Sequence, residues 1–185
     1  MTSKTGEMGL VVVDVQRGFD DPAWGSRDNP ACEQNIAQLI DHWRLSGRGP
    51  LIYVRHDSNY PESTLAPGNP GNAFKDVING TPDLLVTKNV HSAFHGSHDL
   101  AGWLRQQQVS CIAVCGITTN HCCETTTRVA ADLGFDVTFV SDATHAFDRR
   151  GMDNRLFTAD ELHRATEANL HGEFAQVRST GELTQ

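Results

Sequence analysis

The chain has 185 residues, of which 38% are hydrophobic and 21% charged, the balance of one globular domain with a sizeable core rather than of a disordered chain. Its formal net charge of -8 repels phosphate backbones and argues against nucleic-acid binding. No apolar run reaches the roughly 18 residues of a membrane span, and the polar segment Met1–Met8 lacks the apolar stretch of a secretory signal, so a cytoplasmic protein with no membrane partner is expected.

Residues 9–15, Gly-Leu-Val-Val-Val-Asp-Val, form a short continuous apolar run that suits a strand covered on both faces. A helix is predicted over 30–46: Asn29 and Pro30 supply a cap and a first-turn residue, Ile36, Leu39, Ile40 and Trp43 share a face, and Gly47 ends it. A second strand follows at 50–54. Residues 56–82 then break the rhythm with a long connection dense in Pro and Gly. It leaves the carboxyl end of a strand, and its Leu65 and Phe74 need burial, so it is expected to fold over a site.

A third strand at 84–87 and a helix at 98–107, carrying Leu100, Trp103 and Leu104, lead to a fourth strand at 110–115. The helix over 119–133 carries Cys122, Thr126, Val129, Ala130 and Leu133 at helical spacing and stops at Gly134. Strands at 136–140 and about 174–178 flank a last helix over 159–171. Strand and helix alternate, which predicts an α/β protein with a six-stranded, mainly parallel sheet in a single domain, 1–185.

Five cysteines, Cys32, Cys111, Cys115, Cys122 and Cys123, are an odd number in a chain whose core needs no staples, so a disulfide framework is not expected. Their spacing makes no CxxC pair and no partnering histidines suggest zinc. Cys111 and Cys115 alternate with Ile112, Ala113 and Val114 and read as small buried hydrophobes.

In open α/β sheets ligands sit at the carboxyl ends of strands, where the connections diverge. Three ionisable residues stand there: Asp14 closes the first strand, Lys88 the third, and Cys122 lies in the first turn of the helix after the fourth. Taken singly, the aspartate reads as a turn or cap, the lysine as solvated and the cysteine as core. Taken together they have the chemistry of a nucleophile site, although their spacing alone does not single them out. A cation and a helix N-terminus lower a thiol pKa, Asp14 can take the thiol proton and return it to a leaving amine, and backbone N–H groups at the helix start can hold an oxyanion. One tension is geometric: two strands separate Lys88 from Asp14, roughly 10 Å at about 4.8 Å per strand, so the lysine must extend along the sheet edge.

At this point the sequence resembles a known family. Val-Val-Asp-Val-Gln at 12–16, Lys88-Asn-Val-His-Ser-Ala-Phe94, and Val114-Cys-Gly-Ile-Thr-Thr-Asn-His-Cys122-Cys-Glu-Thr-Thr resemble, in order, the aspartate, lysine and nucleophile motifs of the isochorismatase-like cysteine hydrolases. Ser141-Asp-Ala143, Ala146-Phe-Asp148 and His171-Gly-Glu-Phe-Ala175 continue the likeness along nearly the whole chain. The resemblance implies a three-layer α/β/α sandwich with strand order 3-2-1-4-5-6. It implies a catalytic triad of Asp14, Lys88 and Cys122, a cis peptide at Ile117–Thr118, and an oxyanion hole from the N–H groups of Thr118 and Cys122. Gln16, Phe19, Phe94 and Asn120 become candidate substrate-binding residues, with packing or capping as their alternative. A homodimer or larger homo-oligomer acting on a small molecule is implied, with no cofactor.

The motif register selects Cys122 over its neighbour Cys123; His121 and Cys123 stand where relatives often carry apolar residues. Three other functions compete. An isochorismatase proper cleaves a vinyl ether and needs no thiol. A metal-dependent nicotinamidase carries an Asp and two His residues after the second strand; here Asp57 lacks the downstream histidines, so no metal is expected. A non-catalytic α/β binding module would dispense with Asp14, Lys88 or Cys122, and all three are present.

Overall fold

In the computed structural model, which describes residues 7–185, the first apolar run becomes β1 (Met8–Val13). Leu10, Val11, Val12 and Val13 are all buried, as a strand covered on both faces requires. Residues 1–6, on which most of the argument against a secretory signal rested, lie outside the described residues. Helix α1 (Cys32–Ser46) buries Ile36, Leu39, Ile40 and Trp43 and ends at Gly47 in left-handed backbone. Its entrance differs from the expected cap. Asn29 has φ 41° and its side-chain amide donates to the carbonyls of Asp142 and Thr144, so it ties the helix start to a distant strand.

The chain continues through β2 (Leu51–His56), β3 (Leu84–Lys88), α2 (Leu100–Gln106), β4 (Cys111–Ile117) and α3 (Glu124–Asp132). Then come β5 (Asp136–His145), the two-residue strands β6 (Arg149–Arg150) and β7 (Leu156–Phe157), α4 (Ala159–Leu170), β8 (Gln176–Arg178) and α5 (Thr180–Leu183). The predicted helix over 119–133 is in fact two pieces: a π-helical turn, Thr119–Cys123, leads into α3. Leu133, expected on the inner face, falls beyond the helix end and is exposed. Thr126 and Ala130 do face inward.

The six-stranded sheet has the order β3-β2-β1-β4-β5-β8, and every pairing in it is parallel. This is the expected order; the sixth strand is β8 only because a small antiparallel ribbon, β6–β7, precedes it. Alternate residues of the strands feed two cores, one on each face. Leu10, Val12, Tyr53 and Cys115 pack with α1 residues and with Leu183 of α5 on one side. Val11, Val13, Val54 and Val114 pack with Leu100 and Leu104 of α2, Ala130 of α3 and Leu170 of α4 on the other. The chain thus leaves β1 toward one face and β4 toward the opposite face. These two strands are neighbours, so their carboxyl ends flank the crevice in which α/β sheets bind ligands. Among the described residues no helix is long and apolar enough to cross a membrane.

Gly116 allows β1 and β4 to close at that crevice. Its φ is 130°, and a Cβ there would lie 2.0 Å from the Val13 carbonyl oxygen. Gly116→Ala should therefore cost at least about 2–3 kcal/mol, through both the overlap and the backbone conformation. Urea unfolding of the variant and the parent measures it; equal midpoints would contradict this account of the strand closure.

Candidate active site

Asp14 follows β1 directly and has φ 52°, a left-handed conformation that Asp tolerates better than most residues. The turn aims its carboxylate into the crevice, where the side chain is fully buried. Lys88 ends β3, two strands away, and its Cα is in register with His56 of β2. Its side chain crosses the end of β2 and brings Nζ to 2.5 Å from Asp14 Oδ2, 3.3 Å from His56 Nδ1 and 3.4 Å from Cys122 Sγ. The distance that the sequence left in tension is spanned in this way, with His56 as the stepping point. Cys122 comes from the π-helical turn after β4.

Burial opposes the charge on Lys88, but Asp14 and then Cys122 outweigh it and raise its pKa. The ammonium therefore stays charged. The thiol behaves otherwise than the sequence suggested. Burial first, and the Asp14 charge second, push the Cys122 thiol well up, and Lys88 recovers only part of this. The resting residue is a thiol. Burial, helped by Lys88, lowers His56, which leaves a neutral imidazole beside the ammonium. One carboxylate oxygen, Asp14 Oδ1, is buried without a hydrogen-bond partner. A buried carboxylate oxygen with free acceptor capacity beside a thiol is suited to receive its proton.

These groups open onto a cavity of about 110 Å³ lined by Asp14, Phe19, Trp24, His56, Leu65, His91, Thr118, His121 and Cys122. Phe19 and Trp24 pack together, ring centroids 5.0 Å apart, and form the apolar wall. The long connection does cover the site: Leu65 lines the cavity, and Thr64 Oγ1 donates to the Gly18 carbonyl. Phe74 packs edge-on to Tyr53 in the same core as Leu65. The Ile117–Thr118 peptide bond is cis, and Thr118 Oγ1 is buried without a partner.

Of the candidate residues read from the sequence, Asp14, Cys122, Thr118 and Phe19 line the cavity, and Lys88, which does not, contacts two of them, Asp14 and Cys122. Three others stand apart from it. Gln16 is fully buried, and its amide is engaged on both sides: it donates to the His56 and Asn72 carbonyls and accepts from the His56 N–H. It clamps the covering connection to β2 and has no N–H left for a ligand. Phe94 packs on Phe135 in the core beneath α2 and α3, centroids 5.7 Å apart. Asn120 sits in the π-helical turn, half-buried and away from the cavity lining.

Sequence reasoning passed over His56, Trp24 and His91 as lining residues. His56 carried the same signal as Asp14 and Lys88, an ionisable residue at the carboxyl end of a strand. It was missed because β2 runs two residues beyond its apolar stretch. The others arrive from loops with no periodic signal.

An isochorismatase domain model matches residues 8–181. The chain belongs to the isochorismatase family of hydrolases. The isochorismatase family protein YrdC of Bacillus subtilis is 38% identical over 94% of this chain and 92% of its own length. Nicotinamidase 3 of Arabidopsis thaliana is 32% identical over 94% and 85%. A crystal structure of an isochorismatase-family protein from Chromobacterium violaceum superposes with a TM-score of 0.92 at 37% identity, covering 99% of this chain and 94% of that one. Isochorismatase-family members are hydrolases and include amidases acting on C–N bonds.

The two adjacent cysteines separate cleanly in this site: Cys122 lines the cavity, whereas Cys123 is fully buried in the core. Iodoacetamide should therefore label Cys122 and spare Cys123 in the folded protein. Because burial raises the thiol, the labelling rate should keep climbing above pH 9, past the range of an ordinary cysteine of pKa about 8.5. Tandem mass spectrometry of the peptide that holds both residues reads the first point, and the pH–rate curve the second. A plateau below pH 8 would mean that Lys88 prevails over burial.

Proposed function

We propose that this chain is a cysteine hydrolase that cleaves the C–N bond of a small amide or ureido compound through a thioester on Cys122, with Asp14 and Lys88 completing a triad. The observation that carries this reading is the three-way contact of Lys88 Nζ with Asp14 and Cys122 at the floor of a cavity. Nicotinamidase 3, a relative, is an amidase by its name, which agrees with it.

The steps follow from the charges. As Cys122 Sγ attacks the carbonyl carbon, its proton passes to Asp14. The negative charge moves from the carboxylate to the carbonyl oxygen, where the N–H groups of Thr118 and Cys122 would receive it. Lys88 remains positive throughout and holds the geometry. Collapse of the tetrahedral adduct breaks the C–N bond; the Asp14 proton goes to the departing nitrogen, which leaves as ammonia or an amine. Water then attacks the thioester and gives a proton to Asp14. That proton returns to sulfur, and an acid and the free thiol result.

Some amidases of this fold use a metal, and the donor set here does not suit one. Asp57, the expected first ligand, is taken up by Arg55 at 2.8 Å and Asn72 at 3.0 Å. Among the described residues the group of metal-ligating side chains close enough to share an ion is Asp14, His56 and Cys122. The Lys88 ammonium already stands among those three. A second cation there would meet a buried like charge, so the residues do not fit a metal, and no step is routed through one.

Cys122→Ser should lose several powers of ten in amide hydrolysis, each worth about 1.4 kcal/mol of barrier. Cys123→Ser should remain a measurable enzyme with stability lower by about 1–3 kcal/mol, because it buries a hydroxyl in an apolar core. Ammonia release from a panel of primary amides and ureido compounds, with vinyl-ether cleavage of isochorismate as the contrast, measures this. An active Cys122→Ser enzyme, or turnover of isochorismate alone, would overturn the thioester route. EDTA should leave the rates unchanged; loss of activity restored by zinc would show that a metal does enter.

A further inference from the structure

An ammonium donates hydrogen bonds and accepts none. The Lys88 ammonium has three partners for its three N–H groups: Asp14 Oδ2 at 2.5 Å, His56 Nδ1 at 3.3 Å and Cys122 Sγ at 3.4 Å. His56 Nδ1 is therefore the acceptor, and the one proton of the neutral ring must sit on Nε2. Lys88 thus fixes which nitrogen of this histidine carries hydrogen.

That N–H has nothing in the protein to bond. The backbone N–H and C=O of His56 are engaged by Gln16 and Asn72, and Nδ1 by Lys88, but among the described residues Nε2 has no partner. Nor is it sealed in the core. Both ring nitrogens of His145 are buried without a partner, and those of His56 are not. His56 lines the cavity beside Asp14, Thr118 and Cys122, and one of its ring nitrogens lies within 4.8 Å of Cys122 Sγ. The surroundings leave this donor conspicuous. Phe19 and Leu65 are apolar walls, and the Trp24 indole N–H is spent on the Gly18 carbonyl. A ligand that covers such an N–H without offering an acceptor forfeits the bond it had with water.

We infer that His56 is a substrate-binding residue whose Nε2–H holds a second acceptor of the substrate, next to the carbonyl that Cys122 attacks. The protein then prefers an amide with another carbonyl near its scissile C–N bond over a plain alkyl amide. This rests on the C–N hydrolase reading above. A cavity of about 110 Å³ is near the volume of four waters at about 30 Å³ each, so the second carbonyl must lie close to the first.

Two variants separate the two edges of the ring. In His56→Asn the side-chain oxygen replaces Nδ1 as acceptor for Lys88, but nothing reaches the place of Nε2. In His56→Gln the longer side chain carries an amide N–H to that place. Iodoacetamide and methyl iodide alkylate the same thiol, and only the first has a carbonyl. The ratio of their rates at Cys122, divided by the ratio for free cysteine, should fall about threefold to tenfold in His56→Asn, the worth of one neutral hydrogen bond. It should recover in His56→Gln. Any general change in thiol reactivity cancels in the ratio, and an unlabelled Cys123 shows that each variant is folded. An unchanged ratio in His56→Asn, or no recovery in His56→Gln, would overturn the assignment and leave His56 as a support for Lys88 alone. Nitrogen-15 NMR reads the tautomer directly, with the His56 signals identified by their loss in His56→Asn; a proton on Nδ1 would also overturn it. A second arm compares the hydrolysis of acetoacetamide with isovaleramide, and of diacetamide with N-isopropylacetamide, pairs in which a methyl group replaces the second carbonyl oxygen. The parent should favour the dicarbonyl member of a pair, and His56→Asn should reduce that preference threefold to tenfold. A preference equal in parent and variants would refute the substrate class and leave the hydrolase standing. An alkylation ratio that depends on His56, with no turnover of either pair, would refute the hydrolase reading and leave the donor.

Discussion

The site depends on one ion pair removed from water. Lys88 Nζ and Asp14 Oδ2 lie 2.5 Å apart, with both side chains fully buried. Burying either charge alone costs several kcal/mol, and removing one member of such a pair strands the other at a cost of about 3–5 kcal/mol. The surrounding structure makes the pair tolerable. His56 offers a neutral ring nitrogen to the ammonium, and Cys122 offers its sulfur. The pair also constrains the fold. With β2 between them, a lysine from β3 reaches the aspartate after β1 only across the end of β2, which the register with His56 opposite Lys88 allows.

The raised thiol follows from the same burial. A thiolate beside Asp14 would add a second negative charge to a buried site that holds a single cation, so the resting protein keeps the proton on sulfur. Under the proposed mechanism this is an advantage. The thiol proton moves to Asp14 as negative charge appears on the carbonyl oxygen, and the net charge of the enclosed site stays constant. No charge has to be desolvated during the reaction, and the groups that receive it are already oriented.

Much of this could be read along the chain, and the gaps have physical causes. The strands covered on both faces were visible because continuous runs such as Leu10–Val13 have no other economical placement. The helices were visible from their 3.6-residue pattern and their stops. What failed was local detail that tertiary contacts override. Asn29 has the chemistry of a cap yet bonds to β5. Gln16 has the chemistry of a substrate contact yet is used up in clamping the covering connection. Phe94 is aromatic and close in sequence to Lys88, but its turn directs it into the core against Phe135.

The sequence by itself determined the strand and helix alternation, through hydrophobic periodicity. The order of the sheet and the three residues that meet at its edge came from the family resemblance of motifs whose members lie close together in the chain. Only the tertiary structure decided the state of the thiol and the cavity that Trp24, Leu65 and His91 help to line. Burial and the distances between groups far apart in sequence set a pKa and shape a pocket, and neither quantity is carried by any local stretch of residues.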